Sequence, residues 1–298
     1  MASIFRWEEP NRSSQFLCDG FQRHLARWNS SRLAPGLPSA DWQRQLDDDQ
    51  RMLRLEGAFL EEERAVIADR AAQAPTDVAG FLEWFEDLQV TGPGQGDALF
   101  PWLANDASQD DFAYYLTQEA AGEAGFDDLT ALTQVKIPPS AKMELANNYW
   151  DEMGRGNAKG MHGPMLEAMV EALGLDPAID KTVWESLALA NGMTAMATCR
   201  RYAWHSVGAL GVIELTAPGR SRCVADGLKR LGMDKVAYRY FDLHAVLDVK
   251  HSEDWNAKVI APLVAEDPRR ATAIAEGALI RLSAGARCFD RYRTALWS

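Results

Sequence analysis

A chain of 298 residues, 47% hydrophobic and 25% charged, has the composition of an ordinary globular protein with enough apolar material for a substantial core. Its 43 acidic and 31 basic residues leave a formal charge of −12, which argues against non-specific nucleic-acid binding and against adhesion to an anionic membrane surface. Cys18, Cys199, Cys223 and Cys288 are scattered, with no CxxC pair, and read as reduced thiols of a cytoplasmic protein rather than a disulfide framework.

The first ten residues are polar and acidic, unlike a secretory signal, and the most apolar run, Val207 to Ile213, stops at Glu214, far short of a membrane span. Gln43 to Ala72 reads as a helix, with Leu46, Met52, Leu53, Leu55, Phe59, Leu60 and Val66 near i, i+3, i+4 spacing. A short helix from Asp77 to Leu88 follows, closed by Thr91-Gly-Pro-Gly-Gln-Gly96. Ser108 to Glu123 carries Phe112, Tyr115, Leu116 and Glu119 on one face. After Pro138-Pro139 a helix from Ala141 to about Met153 is interrupted by Gly154-Arg-Gly-Asn157 and resumes from His162 to Leu173. Thr182 to Asn191 is a shorter helix, and Met193 to Thr216 a long apolar one stopped by Pro218-Gly219. Arg220 to Leu231, Lys235 to Lys250, Trp255 to Val264 and Pro268 to Tyr292 complete the chain. No strand run, internal repeat or low-complexity tract interrupts the pattern. The expectation is an all-α protein, one structural domain in all, with residues 1–95 as an N-terminal helical extension packed on a core bundle over 96–298.

Chemistry concentrates in His244-Ala-Val-Leu-Asp248-Val-Lys-His251. At 100° per residue, positions i, i+4 and i+7 fall at about 0°, 40° and −20°, so two imidazoles and a carboxylate share one helix face. Such a set suits iron and leaves positions open for oxygen chemistry. Facing helices of a bundle supply such ligands inward, and four more groups qualify. Glu119 follows an apolar stripe, with Glu123 one turn on as the alternative first ligand. Glu214 ends a very apolar run, where a lone carboxylate is costly unless something pairs with it. Glu152 and His162 flank the glycine interruption. Ten residues of regular helix would set them about 15 Å apart along the axis. Looping out some three residues restores an effective spacing of about seven and a shared face, so a disrupted helix is expected between Met153 and Gly160. Asp151 points about 100° from Glu152 and belongs behind the ligands or in solvent. His205, about 180° round a helix from Glu214, is expected to be a hydrogen-bonded core histidine. The many methionines near the site read as core filler, Trp42, Trp84 and Trp102 as packing anchors, Trp150 and Tyr149 as candidate substrate contacts, and Arg200-Arg201 as surface. No P-loop, dinucleotide fingerprint or nucleophile elbow is present.

Taken in order, Glu119, Asn148-Tyr-Trp-Asp-Glu152-Met-Gly-Arg-Gly, Met161-His162, Ile213-Glu214 and His244-xxx-Asp248-xx-His251 resemble the haem-oxygenase-like di-iron oxidases and oxygenases over residues 97 to 265. The resemblance implies a haem-oxygenase-like helical bundle without haem and a non-haem di-iron centre. Its ligands would be Glu119, His162, Glu214, His244, Asp248 and His251, with Glu152 matching an extra carboxylate of members that oxygenate nitrogen. It implies two Fe(II) ions as cofactor, O2 as co-substrate and an external reductant. Partners would be a small-molecule substrate and an electron-donor protein or reductant, with no nucleic acid or membrane and a homodimer allowed. The expected activity is N-oxygenation of a small amine, amino acid or nitrogen heterocycle in a biosynthetic pathway. Oxidative C–C cleavage or desaturation of an amino or fatty acid is the alternative. A metal-free haem-oxygenase-like binding or regulatory protein is the alternative of another class.

Overall fold

The computed structural model describes residues 15–123 and 125–298; the N-terminal decapeptide on which the absence of a leader was argued lies outside them. Among the described residues the chain is all helix, with one isolated antiparallel bridge between Met153 and Met161. The helices are α1 Asp19–Leu33, α2 Trp42–Ala71, α3 Val78–Thr91, α4 Leu99–Asn105, α5 Gln109–Gly122, α6 Phe126–Thr133, α7 Pro139–Glu152, α8 His162–Ala172, α9 Trp184–Thr198, α10 Ala203–Arg230, α11 Lys235–Trp255, α12 Ala261–Glu266 and α13 Arg270–Leu296. None is long and apolar enough to cross a membrane.

Local chemistry explains several ends. Ser108 and Asp111 form a capping box at the start of α5, each side chain accepting from the other's backbone N–H. Asp77 caps α3 through Gly80. Pro139 opens α7, where its missing N–H costs nothing.

Helix α10 is the axis of the bundle. Val207 through Val212 are all buried, with α11 and α13 packed along its length and α9 and α4 beside it. The approach of α13 depends on a glycine from each helix. A Cβ on Gly208 would stand 1.9 Å from the Ile274 carbonyl oxygen, and one on Gly277 would stand 1.9 Å from that of His205. Only hydrogen fits at this crossing. The first three helices join the same body: α1 and α2 pack on α9 and α13, and α3 on α10 and α12.

The α9–α10 region and α2 differ from the sequence reading. The long apolar helix does not start at Met193 and stop before Pro218. Instead α9 runs on to Thr198, a 3-10 turn at Arg200–Tyr202 follows, and α10 continues through Pro218 to Arg230. The break is fixed from outside: Arg200 donates to the carbonyls of Leu132, Thr133 and Val135, and Tyr202 donates to Glu61. Pro218 is carried because Leu215, Val224, Ala225 and Leu228 around it are buried, and packing outweighs one missing hydrogen bond. On α2, Leu46, Leu53, Leu55 and Val66 are exposed, while Met52, Phe59 and Leu60 face inward with Glu56, Glu63 and Ile67. The two buried glutamates are paired, with Arg32 and Arg287. Trp42 is likewise exposed rather than an anchor.

Gly277→Ala is expected to cost about 3 kcal/mol or more, as overpacking against backbone. In a thermal melt followed by circular dichroism the midpoint should fall by roughly 6 °C or more. An unchanged midpoint would show that the α10–α13 crossing has slack.

Candidate metal centre

The glycine interruption after α7 is a loop of two 3-10 turns, Gly154–Gly156 and Ala158–Gly160, closed by the Met153–Met161 bridge. Gly154, Arg155 and Gly156 all have positive φ, and a Cβ on Gly154 would meet Gly160 backbone at 2.5 Å. Glycine is therefore required at 154. The left-handed Arg155 is held by its guanidinium, which donates to both Asp151 carboxylate oxygens. The expected disruption between Met153 and Gly160 is thus what the chain does, and it brings Glu152 Oε2 within 2.7 Å of His162 Nδ1.

Two triplets of ligand atoms result. Glu152, His162 and His244 form one, and Glu214, Asp248 and His251 the other; in each, one donor atom per residue lies within 4.8 Å of the others. All but the half-buried His244 are buried. Within the first triplet the rings of His162 and His244 meet edge to face at 4.6 Å between centroids. The triplets adjoin, because His244 and Asp248 stand one turn apart on α11 and Glu152, Glu214, His244 and Asp248 line one cavity.

Neighbouring groups aim the candidate ligands. His244 Nδ1 donates to the Tyr240 carbonyl at 2.7 Å, leaving Nε2 free to ligate. His251 Nε2 faces Asp151 at 3.1 Å, which turns Nδ1 toward Glu214. Asn148 donates to Glu214 Oε1 at 2.7 Å. Asp151 therefore stands behind the ligands, as its azimuth suggested. Asn148 and Tyr240 were missed. Each lies four residues before a ligand, so helical spacing was a signal for both.

Burial makes charge expensive in this cluster. It raises the Glu152 carboxyl, with the charge of Glu214 adding, and raises Asp248, with Glu214, Glu152 and Glu123 adding. It lowers His162 and His244 to about 4, helped by His251 in the first and His162 in the second. Burial also opposes a charge on His251, but the nearby carboxylate of Glu214, with Asp151, prevails and lifts it to about 9. Oδ1 of Asp248 is buried without a hydrogen-bond partner, while Nδ1 of His162 and Nδ1 of His251 face the carboxylates of Glu152 and Glu214 at 2.7 and 3.4 Å without hydrogen-bond geometry. Lone pairs crowded together and unsatisfied by hydrogen bonds are the donor set a cation requires, and a divalent ion offsets the carboxylate charge. The residues present fit iron.

A cavity of about 90 Å³ opens onto Glu152, Glu214, His244 and Asp248 and runs between α5, α10, α11 and α13. Both Glu119 and Glu123 line it, but with different neighbours. Glu119 is raised by burial and opposed by Arg281, Arg220 and the hydroxyls of Tyr115 and Tyr292. Glu123 accepts from Tyr240 Oη at 2.9 Å and is pushed up to about 7, by burial first, with Glu152 and Glu119 adding. Of the two, Glu123 is the one electrostatically tied to the triplets. Neither Trp150, half-exposed over the glycine loop, nor any methionine lines the cavity. His205 is paired with Glu276 at 2.7 Å, the core role expected of it.

The chain belongs to the iron-containing redox enzyme family, whose model matches residues 113–286. The fold is accordingly the haem-oxygenase-like all-α bundle, and membership makes the chain an oxidoreductase of an iron-using family. No curated protein matches it.

Two measurements check this electrostatic picture. His251 holds a proton below about 9 and must lose it to ligate through Nδ1, so metal loading at pH 7 should release protons. Affinity should then rise about tenfold per pH unit for each proton displaced and level off above pH 9. Titration of Mn(II) in weak buffer reads the release; pH-independent affinity contradicts it. Separately, Asp151→Ala should weaken metal binding by about 10–100-fold with helicity intact, because His251 loses its orienting acceptor.

Proposed function

We propose that this chain is an O2-activating non-haem di-iron oxygenase that oxidises the nitrogen of a small amine, amino acid or nitrogen heterocycle. The observation that carries the reading is the pair of adjoining triplets opening on one cavity. A protein binding one metal, or none, has no use for six convergent ligand groups from α7, α8, α10 and α11. With Glu123 proposed in place of Glu119 as the remaining ligand, Glu123, Glu152, Glu214 and Asp248 bring four negative charges against the four positive charges of two Fe(II) ions, a near-neutral core tolerable in an apolar bundle. N-hydroxylation balances as amine plus O2 plus two electrons and two protons giving hydroxylamine and water, so an external reductant is needed. When bound, ferrous iron would pass the reductant's electrons to O2 and offer it open coordination positions.

The chain's own residues do the rest. Tyr240, through its carbonyl and its hydroxyl, positions both His244 and Glu123. Asp151 and Asn148 fix His251 and Glu214. Phe126, Ile213 and Phe241 wall the cavity with apolar surface and limit water near the reacting nitrogen. The cavity is compact and combines charged groups with apolar walls, which favours a small substrate with polar ends over a long fatty acyl chain.

Anaerobic Fe(II) loading with metal analysis, followed by stopped-flow mixing with O2, tests the proposal. Two irons per chain and a transient visible absorbance whose decay is accelerated by an amine are expected. Absence of iron uptake would overturn the proposal in favour of a metal-free binding protein. His244→Ala and Asp248→Ala should each abolish reductant-dependent O2 consumption while leaving far-ultraviolet circular dichroism unchanged. Full consumption by either variant would refute the ligand assignment.

A further inference from the structure

The cavity has a second end that the ligand triplets do not use. Two guanidiniums, Arg220 from α10 and Arg281 from α13, line it beside Tyr115 and Glu119. Arg220 follows Glu214 by six residues, so its Cα lies about 9 Å further along the α10 axis. Arg220 is held in place by a hydrogen bond to Thr216 Oγ1 at 3.1 Å and by the rings of Phe100 and Phe289, at 5.8 and 5.6 Å from its guanidinium carbon. Arg281 Nε is buried with no hydrogen-bond partner. Glu119 faces both arginines and Arg281 also faces Glu123, with no ion pair between these groups at contact distance among the described residues. Burial, with Arg281 adding, lowers Arg220 only to about 10, so it stays charged at neutral pH.

We propose that Arg220 and Arg281 form an anion subsite that anchors the carboxylate of a small substrate, whose other end then faces the two ligand triplets. The inference rests on the triplets being the reaction centre and adds a substrate class to it: a short compound bearing a carboxylate at one end and the oxidisable nitrogen at the other. A guanidinium pair recognises a planar carboxylate through paired N–H donors. Glu119 then serves as a positioning residue for the arginines and as the group that sets the net charge of the subsite.

Isothermal titration of 5-aminopentanoate and its uncharged analogue 5-aminopentanamide into the full chain, metal-free and loaded with Mn(II), decides the matter. The acid is expected to bind about tenfold tighter than the amide or better. Arg281→Gln and Arg220→Gln should erase that preference, and Arg281→Lys should keep part of it. Glu119→Gln, which removes the opposing charge, should tighten acid binding; this opposite sign cannot come from loss of fold. Equal affinities, a preference surviving both glutamine variants, no gain in Glu119→Gln, or no acid binding at millimolar concentration would overturn the subsite. Manganese stoichiometry is read in the same samples. Metal uptake without acid preference defeats the subsite alone, and acid preference without metal uptake defeats the metal reading alone. If no metal is taken up, the metal-free titration is judged by the same criteria.

Discussion

Ionisable groups buried away from water govern this structure. Glu152, His162, Glu214, Asp248 and His251 are each less than a tenth exposed, and His244 and Glu123 adjoin them. An isolated charge in such surroundings is unaffordable unless it is paired, neutralised or given to a metal. The protein uses the first two routes within a few ångströms. His251 is paired with Asp151 and Glu214, His162 and His244 are held neutral, and several carboxylates are driven toward their protonated forms. The same groups become jointly affordable around dications, which couples protonation of the site to its loading.

That arrangement needs backbones brought close enough for short side chains to meet. The Gly208–Gly277 crossing lets α13 press on α10, and Gly211 admits the Trp255 indole of α11, whose Nε1 donates to the Val207 carbonyl. With α10 clamped on both sides, Glu214 is fixed against His251 and Asp248 of α11. Helix packing here serves the placement of charge as much as the burial of apolar surface.

The parts of the site legible in the sequence were those written in helical periodicity. His244, Asp248 and His251 share a face by arithmetic, Glu214 stood out as a charge ending an apolar run, and the glycines after Met153 marked an interruption that geometry demanded. The sequence does not separate Glu119 from Glu123, because i and i+4 share a face and what distinguishes them is their neighbours from elsewhere. Arg220 and Arg281 draw Glu119, whereas Tyr240 and the triplets draw Glu123. The passage of α10 through Pro218 was hidden for the same reason: local propensity argued for a stop, and packing on four neighbouring helices overrode it. The stripe on α2 failed differently, since that helix buries two glutamates against arginines and leaves four aliphatic residues outside.

The loop between Met153 and Met161 separates two properties that a continuous helix ties together. In an unbroken helix, inserting or deleting one residue rotates everything downstream by about 100° and would scatter a ligand pair. Here the chain leaves the helix after Glu152 and re-enters at His162 through a bridge that joins the two ends directly, with Gly154 against Gly160. The register of one ligand relative to the other is set at the neck and not by the number of residues in the loop. The loop can therefore change in length or surface chemistry, and so in what it contacts outside, while the pair it connects keeps its geometry.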